Sequence, residues 1–171
     1  MRDGYLDDET YGLIQRSVPI CTVDLLCMFT DREIAPMLLI ERDDGHGHPG
    51  ALNLVGGRIR LGESIEAAAL RHVRETIGDA VEVQPREWGR PEWVAVYPRG
   101  EAGPGPHDPR QQSISPSYVV TCAGEPVVVD SGEATGLAWL DPDDLPPPDR
   151  FGFGQGEVVK RMLASREPRP Q

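Results

Sequence analysis

The stretch LVGGRIRLGESIEAAALRHVRETIG, residues 54–78, decides how the rest of the chain is read. It opens on a glycine pair, passes through a Gly-Glu turn and continues as an alanine-rich segment that closes on another glycine. At about 100° per residue, Ile65, Ala69, Leu70, Val73, Thr76 and Ile77 fall on one side. Arg71, His72, Arg74 and Glu75 fall on the other. The spacing predicts a helix over residues 64–77 with one face packed, one face free for chemistry, and Gly78 just past its end. Glu75 follows Arg71 by four positions and His72 by three, so these side chains can touch. Ahead of the helix, glycine lets a ligand come close to the backbone, and Arg58 and Arg60 share a side if the segment is extended. That combination reads as a phosphate site.

Around this stretch the chain alternates short apolar runs with turns. LDDETYGLIQRSV reads as an N-terminal helix over about 7–17, acidic at its start, basic at its end and stopped by Pro19. PICTVDLLCMFT and PMLLIER flank a polar turn and read as a hairpin. ALNLV, EWVAVYP and SYVVTCAG read as further strands, GLAWLDPDDL as a late strand and turn, and GEVVKRMLAS as a terminal helix. The Gly- and Pro-rich residues 99–115 read as a mobile loop and 166–171 as a frayed tail. One domain over 1–171 is expected, since this length supports a single core.

A net charge of −11 and a pI near 4.7 disfavour nucleic acid and anionic membranes as partners, so an anionic ligand needs a local basic pocket or a cation. Three cysteines without paired spacing, and no basic-then-apolar leader, lead to an expectation of a cytoplasmic protein. Cys21 and Cys27 read as core residues on a strand. Asp43, Asp44, His46 and His48 form a weak candidate metal loop.

The pattern resembles the Nudix family, whose box runs Gly, five residues, Glu, seven residues, then R-E-U-x-E-E-x-G-U with U aliphatic. The matches are Gly57, Glu63, Arg71, Val73, Glu75 and Gly78, and the departures are His72, Thr76 and Asp79. The resemblance implies an α/β class, with an α/β/α sandwich around a mixed β-sheet. It also implies a nucleotide-derived substrate and a Mg2+ or Mn2+ cofactor held by Glu75 and the Gly57 carbonyl, with Glu133 as a further ligand or base. It gives Glu63 and Arg71 a structural ion pair. Within the family the pattern is most similar to GDP-mannose mannosyl hydrolases, from SVPICTVD and GGRIRLGESIEAAA. That likeness places Arg42, Arg58, Arg71 and Tyr118 where the group has a strand-end arginine, box arginines and a tyrosine, which makes Arg42, Arg58 and Tyr118 expected substrate contacts beside Arg60, although Thr76 and Ala134 lack the acid and histidine of that group. Arg58 and Glu75 are thus candidate catalytic residues. His72 is either a general base or a surface histidine paired with Glu75. The expected activity is hydrolysis of a nucleoside diphosphate linked to another moiety, a nucleotide sugar preferred. The alternative is a module that binds such a ligand without cleaving it. A homodimer is expected, with the apolar segment FGFGQGEVVKRML covering the partner.

Overall fold

The computed structural model describes residues 6–32, 35–42, 50–100 and 105–165. Its spine is strand β1 (Ile20–Phe29), in which residues 23–29 are all buried. Burial on both faces is what a strand shows when layers cover it above and below. The strand β7 (Ser113–Gly124) runs parallel along one side of it, with Leu25 opposite Tyr118. On the other side β1 is shared. Its later part pairs antiparallel with β2 (Met37–Arg42), with Cys27 opposite Leu38, and its earlier part with β4 (Val55–Arg58), with Asp24 opposite Gly56. The strands β3 (Ala51–Asn53) and β8 (Gly136–Leu140) flank β2, while β5 (Val81–Val83) and β6 (Trp93–Tyr97) flank β7.

This mixed sheet separates two apolar layers. Helix α2 (Ile65–Ile77) lays Ala68, Ala69, Val73 and Ile77 on Val23, Leu25 and Cys27. Helix α3 (Gln155–Ala164) lays Val158, Val159 and Met162 on Leu26, Met28, Met37 and Leu39. Alternation along β1 and β2 supplies both sets, so the two layers follow from strand period two. The α/β/α sandwich is therefore present. A third helix, α1 (Asp8–Ser17), is capped by the Asp7 side chain and buries none of its residues. No helix among the described residues is long and apolar enough to cross a membrane.

The structure corrects several expectations. ALNLV is two strands broken at Leu54, because β3 pairs with β2 and β4 with β1. At the break the Leu54 N–H leaves the ladder and donates to Gln155 Oε1 at 2.8 Å. Gly78 does stand just past the end of α2, as expected, with φ 98° and ψ 159°. The last carbonyls of α2, on Thr76 and Ile77, accept from the N–H groups of Val129 and Val127. Of the loop expected over 99–115, residues 101–104 lie outside the described residues, and the rest makes defined contacts. Arg99 bridges Asp108, His107 N–H donates to Phe153 O, and β7 begins at Ser113. Cys21 is exposed, whereas Cys27 is buried. Phe151, Phe153, Val158, Val159 and Met162 are buried on their own sheet, so the apolar segment offered as a dimer surface is used internally. The candidate metal loop at Asp43, Asp44, His46 and His48 and the tail 166–171 lie outside the described residues.

At Gly56 a Cβ would sit 2.1 Å from the Val23 carbonyl oxygen, inside the β1–β4 pairing. Gly56→Ala is expected to cost about 1–3 kcal/mol through overpacking, or roughly 3–10 °C of melting temperature for a chain of this size. A thermal melt equal to that of the unsubstituted protein would show that β4 can move away from β1 without loss.

Candidate functional site

The glycine pair, the turn and α2 are locked together by one guanidinium. Arg71 donates from Nε to Glu63 Oε1 at 2.8 Å and from Nη2 to Glu63 Oε2 at 2.9 Å, a bidentate pair. The same Nη2 reaches the Arg58 carbonyl at 3.0 Å, and Nη1 reaches Glu75 Oε2 at 3.1 Å. Glu63 also accepts from the Arg60 N–H at 2.9 Å. These donors, led by the Arg71 bond, hold the Glu63 carboxyl down at about 2. Arg71 is consequently buried, not on an open face as the helical wheel suggests.

Beside this hub opens a cleft of about 370 Å3. Gly57, Arg58, Arg60, His72, Arg42 and Glu133 line one end of it. Arg42 pairs with Glu133 at 3.5 Å, and the Arg58 guanidinium lies 4.6 Å from the Tyr11 ring centre of α1. His72 Nε2 lies 3.2 Å from the Arg58 carbonyl, a contact the Nε2–H tautomer makes as donor. Burial, helped by the nearby Arg71 charge, lowers the His72 pKa, so the ring is neutral at neutral pH. The other end is polar but buried. Tyr97 donates to Asp24 Oδ2 at 2.9 Å, Asn53 and Gln155 stand beside them, and Arg110 is bidentate to Asp108 while lying 4.8 Å from the Phe153 ring centre.

The structure thus gathers Gly57, Arg58, Arg60, Arg71, His72, Arg42 and Glu133 around one cleft. Glu75 is not on its wall. Arg71 and Arg60, the latter at 3.5 Å, draw its carboxylate sideways. Tyr118 is corrected as a substrate contact. It belongs to the layer under α2, on the opposite face of the sheet, where its hydroxyl donates to the Trp88 carbonyl at 2.6 Å. Gly78 closes the far end of α2, away from the cleft. The pairing of His72 with Glu75 gives way to the Arg58 contact. Sequence reading missed Tyr11, Asp24, Asn53, Tyr97, Arg110 and Gln155. Asp24 alone carried a signal, as an acid in the middle of the apolar run TVDLLCMF.

The NUDIX domain model matches residues 22–162. The chain belongs to the NUDIX domain family. Among solved structures, it is similar to a protein described as a possible asymmetric diadenosine tetraphosphate hydrolase from Jonesia denitrificans, at 25% identity and TM-score 0.74, covering 91% of this chain and 99% of that one. It is also similar to an ADP-ribose pyrophosphatase from Streptococcus suis, at 22% identity and TM-score 0.54, covering 90% and 97%. A third likeness is to the NUDIX domain of Shewanella oneidensis NrtR complexed with ADP ribose, at 17% identity and TM-score 0.59, covering 91% and 90%. These last two show the fold. A comparison with curated proteins gives no match.

Nudix hydrolases generally use a divalent metal such as Mg2+. The side chains of this NUDIX domain do not fit a resident ion. Among the described residues no three His, Cys, Asp or Glu side chains converge on one point. Glu63 and Glu75 are neutralised by arginine, Glu133 by Arg42, and Thr76 is buried where the family box has an acid. The His72 ring fills the space over Gly57, within 2.7 Å of where a Cβ would stand. Magnesium requires an octahedron of oxygens, and each box carboxylate of this face already meets an arginine.

The depressed Glu63 carboxyl fixes a pH dependence. A group held below its unfolded value of 4.5 contributes stability that is full above 4.5 and lost as pH falls toward about 2. The melting temperature is expected to fall through that window, and Glu63→Gln is expected to remove part of the slope. Arg71→Ala leaves Glu63 charged and half-enclosed without its partner, with an expected loss of about 3 kcal/mol at neutral pH. Denaturant unfolding of the two variants between pH 2 and 7 checks both outcomes.

Proposed function

We propose that this chain hydrolyses a nucleoside diphosphate linked to another moiety, with a nucleotide sugar as the preferred class, taken up as its divalent-cation complex. The observation that carries the reading is the convergence of Arg42, Arg58 and Arg60 with the Gly57 backbone at one end of a cleft in a chain of net charge −11. Such a local cationic end is what a diphosphate needs against an otherwise repelling surface. The diadenosine tetraphosphate of the Jonesia protein's description and the ADP ribose of the NrtR complex are both nucleoside diphosphate derivatives, which supports the class.

In hydrolysis of a diphosphate, water attacks phosphorus and the bridging oxygen leaves with the bond electrons. Arg58 and Arg42 stabilise the charge that develops on the phosphoryl oxygens. Neutral His72, with Nε2–H directed to the Arg58 carbonyl, keeps Nδ1 as an acceptor for the proton of the attacking water. A divalent cation brought in with the diphosphate would supply neutralisation of leaving-group charge. Glu75 is the box acid available to it, through exchange of its exposed Arg60 contact.

A second reading, binding without cleavage, is favoured by the capture of Glu75 between two arginines. Nucleotide sugars and dinucleotides with Mg2+ or Mn2+ separate the two when product release and thermal stabilisation are followed together. The expected result is cation-dependent release of a nucleoside phosphate. Glu75→Gln is expected to lower kcat at least tenfold while sparing the melting temperature. Stabilisation without product, at every cation tested, would establish the binding reading instead.

A further inference from the structure

We propose that Asp24 selects the substrate by accepting hydrogen bonds from neighbouring hydroxyls of a sugar bonded to the diphosphate. The inference rests on the diphosphate-derivative reading and adds the residue that recognises what the diphosphate carries.

Asp24 is 7% exposed in the middle of an apolar strand and lines the cleft. Tyr97 donates to it at Oδ2, at 2.9 Å, and the Ser115 hydroxyl also faces it. An ionised carboxylate offers about four acceptor sites, so these two partners leave part of its capacity for a ligand in the cleft it lines. The basic side chains of the cleft are committed elsewhere: Arg42 to Glu133, Arg71 to Glu63, Arg110 to Asp108, and Arg58 against Tyr11. A buried carboxyl with so few partners is costly, and its burial raises its pKa. Hydrogen-bond donors on a ligand would offset that cost.

Register says which part of a ligand those donors belong to. Asp24 stands opposite Gly56 and Thr22 opposite Arg58, so the carboxyl is two strand residues, about 7 Å, from the phosphate end. That is about the span from a phosphorus to the hydroxyls of the sugar it carries, whereas a base lies one ribose further away. Gly56 contributes no side chain to screen Asp24 from the cleft. Two rings complete the subsite. Tyr97 and Phe153 line the same end, and Phe153 holds a left-handed φ of 54° that few side chains tolerate without a reason. An acceptor edge on the cleft wall matches the hydroxyl-bearing rim of a sugar.

The hydroxyls could come from the nucleoside's ribose or from a second sugar, and three ligands distinguish them. These are a nucleoside diphosphate hexose, its 2′,3′-dideoxynucleoside counterpart and the methyl ester of the same nucleoside diphosphate. Dissociation constants by calorimetry at fixed Mg2+, or kcat/KM where turnover occurs, are compared for the unsubstituted protein and Asp24→Asn. The expected result is at least tenfold weaker binding of the methyl ester by the unsubstituted protein, which identifies the second sugar. Asp24→Asn should then bind the hexose conjugate at least tenfold more weakly and the methyl ester unchanged. A tenfold loss with the dideoxy ligand alone supports the same residue acting on the nucleoside's ribose. Equal affinity for all three ligands overturns the role of Asp24 while leaving the diphosphate reading intact, and needs no variant that must fold. Absence of binding to all three overturns both.

Discussion

The five N–H groups of Arg71 are the constraint on which the site depends. They join Glu63 of the turn, the Arg58 carbonyl of β4 and Glu75 of α2. Guanidinium suits the task because its donors are fixed in a planar fork, so one residue sets both distance and angle. The Gly57–Arg58 backbone is thereby held against α2, and the cleft begins where that backbone ends. Lysine, with one ammonium on a flexible stem, could make the charge pair but not the triangle.

The same interaction explains why the box face has little capacity for a resident cation. Glu63 and Glu75 balance Arg71 and Arg60 within the face itself. With His72 and Thr76 in place of acids, no negative charge is left over. Across the cleft the balance is looser. Arg42 meets Glu133, but that acid is half-exposed and its contact is 3.5 Å, so solvent screens the pair. A phosphate presents more charge and more acceptors than one carboxylate and can displace it. The box carboxylates are thus paired within their face, while the pair at the cleft rim is solvent-screened, which on the proposed reading favours Arg42 and Arg58 over the helix for an anion.

Local features of the fold were legible in the sequence because short-range physics sets them. The box spacing, the apolar side of α2 with Val73 and Ile77, and the apolar runs of β1 and β2 all express helix or strand period. What failed involved partners distant in sequence. The break at Leu54 arises because β1 is shared by two neighbours, and no local signal encodes that sharing. Tyr118 was placed by likeness, yet strand alternation puts it under α2 and its neighbours Ser117 and Val119 on the other side. Arg71 looked solvent-facing on the wheel because Glu63, which encloses it, lies outside the helix. The floor of the cleft joins Asp24, Asn53, Tyr97 and Gln155 from four separate segments, and only Asp24 was anomalous where it stood.

The cover of the cleft is tied to the groups beneath it. Helix α1 has no fully buried residue, so it is the least enclosed of the described α-helices. Its attachments are Gln15 and Tyr11 to Gln111 Oε1, at 3.0 and 3.3 Å, and the Tyr11 ring beneath Arg58. Gln111 is itself part of the cleft wall and donates to Ser113. Every one of these contacts therefore ends on a residue that a ligand would meet. A cation–π contact in a partly exposed position is worth about 0.5–1 kcal/mol, less than a charge-assisted bond from arginine to phosphate at about 1.5–3 kcal/mol. On the proposed reading, a diphosphate that engages Arg58 competes with Tyr11 for its guanidinium. Position of α1 and occupancy of the phosphate end are then two readings of the same side chain.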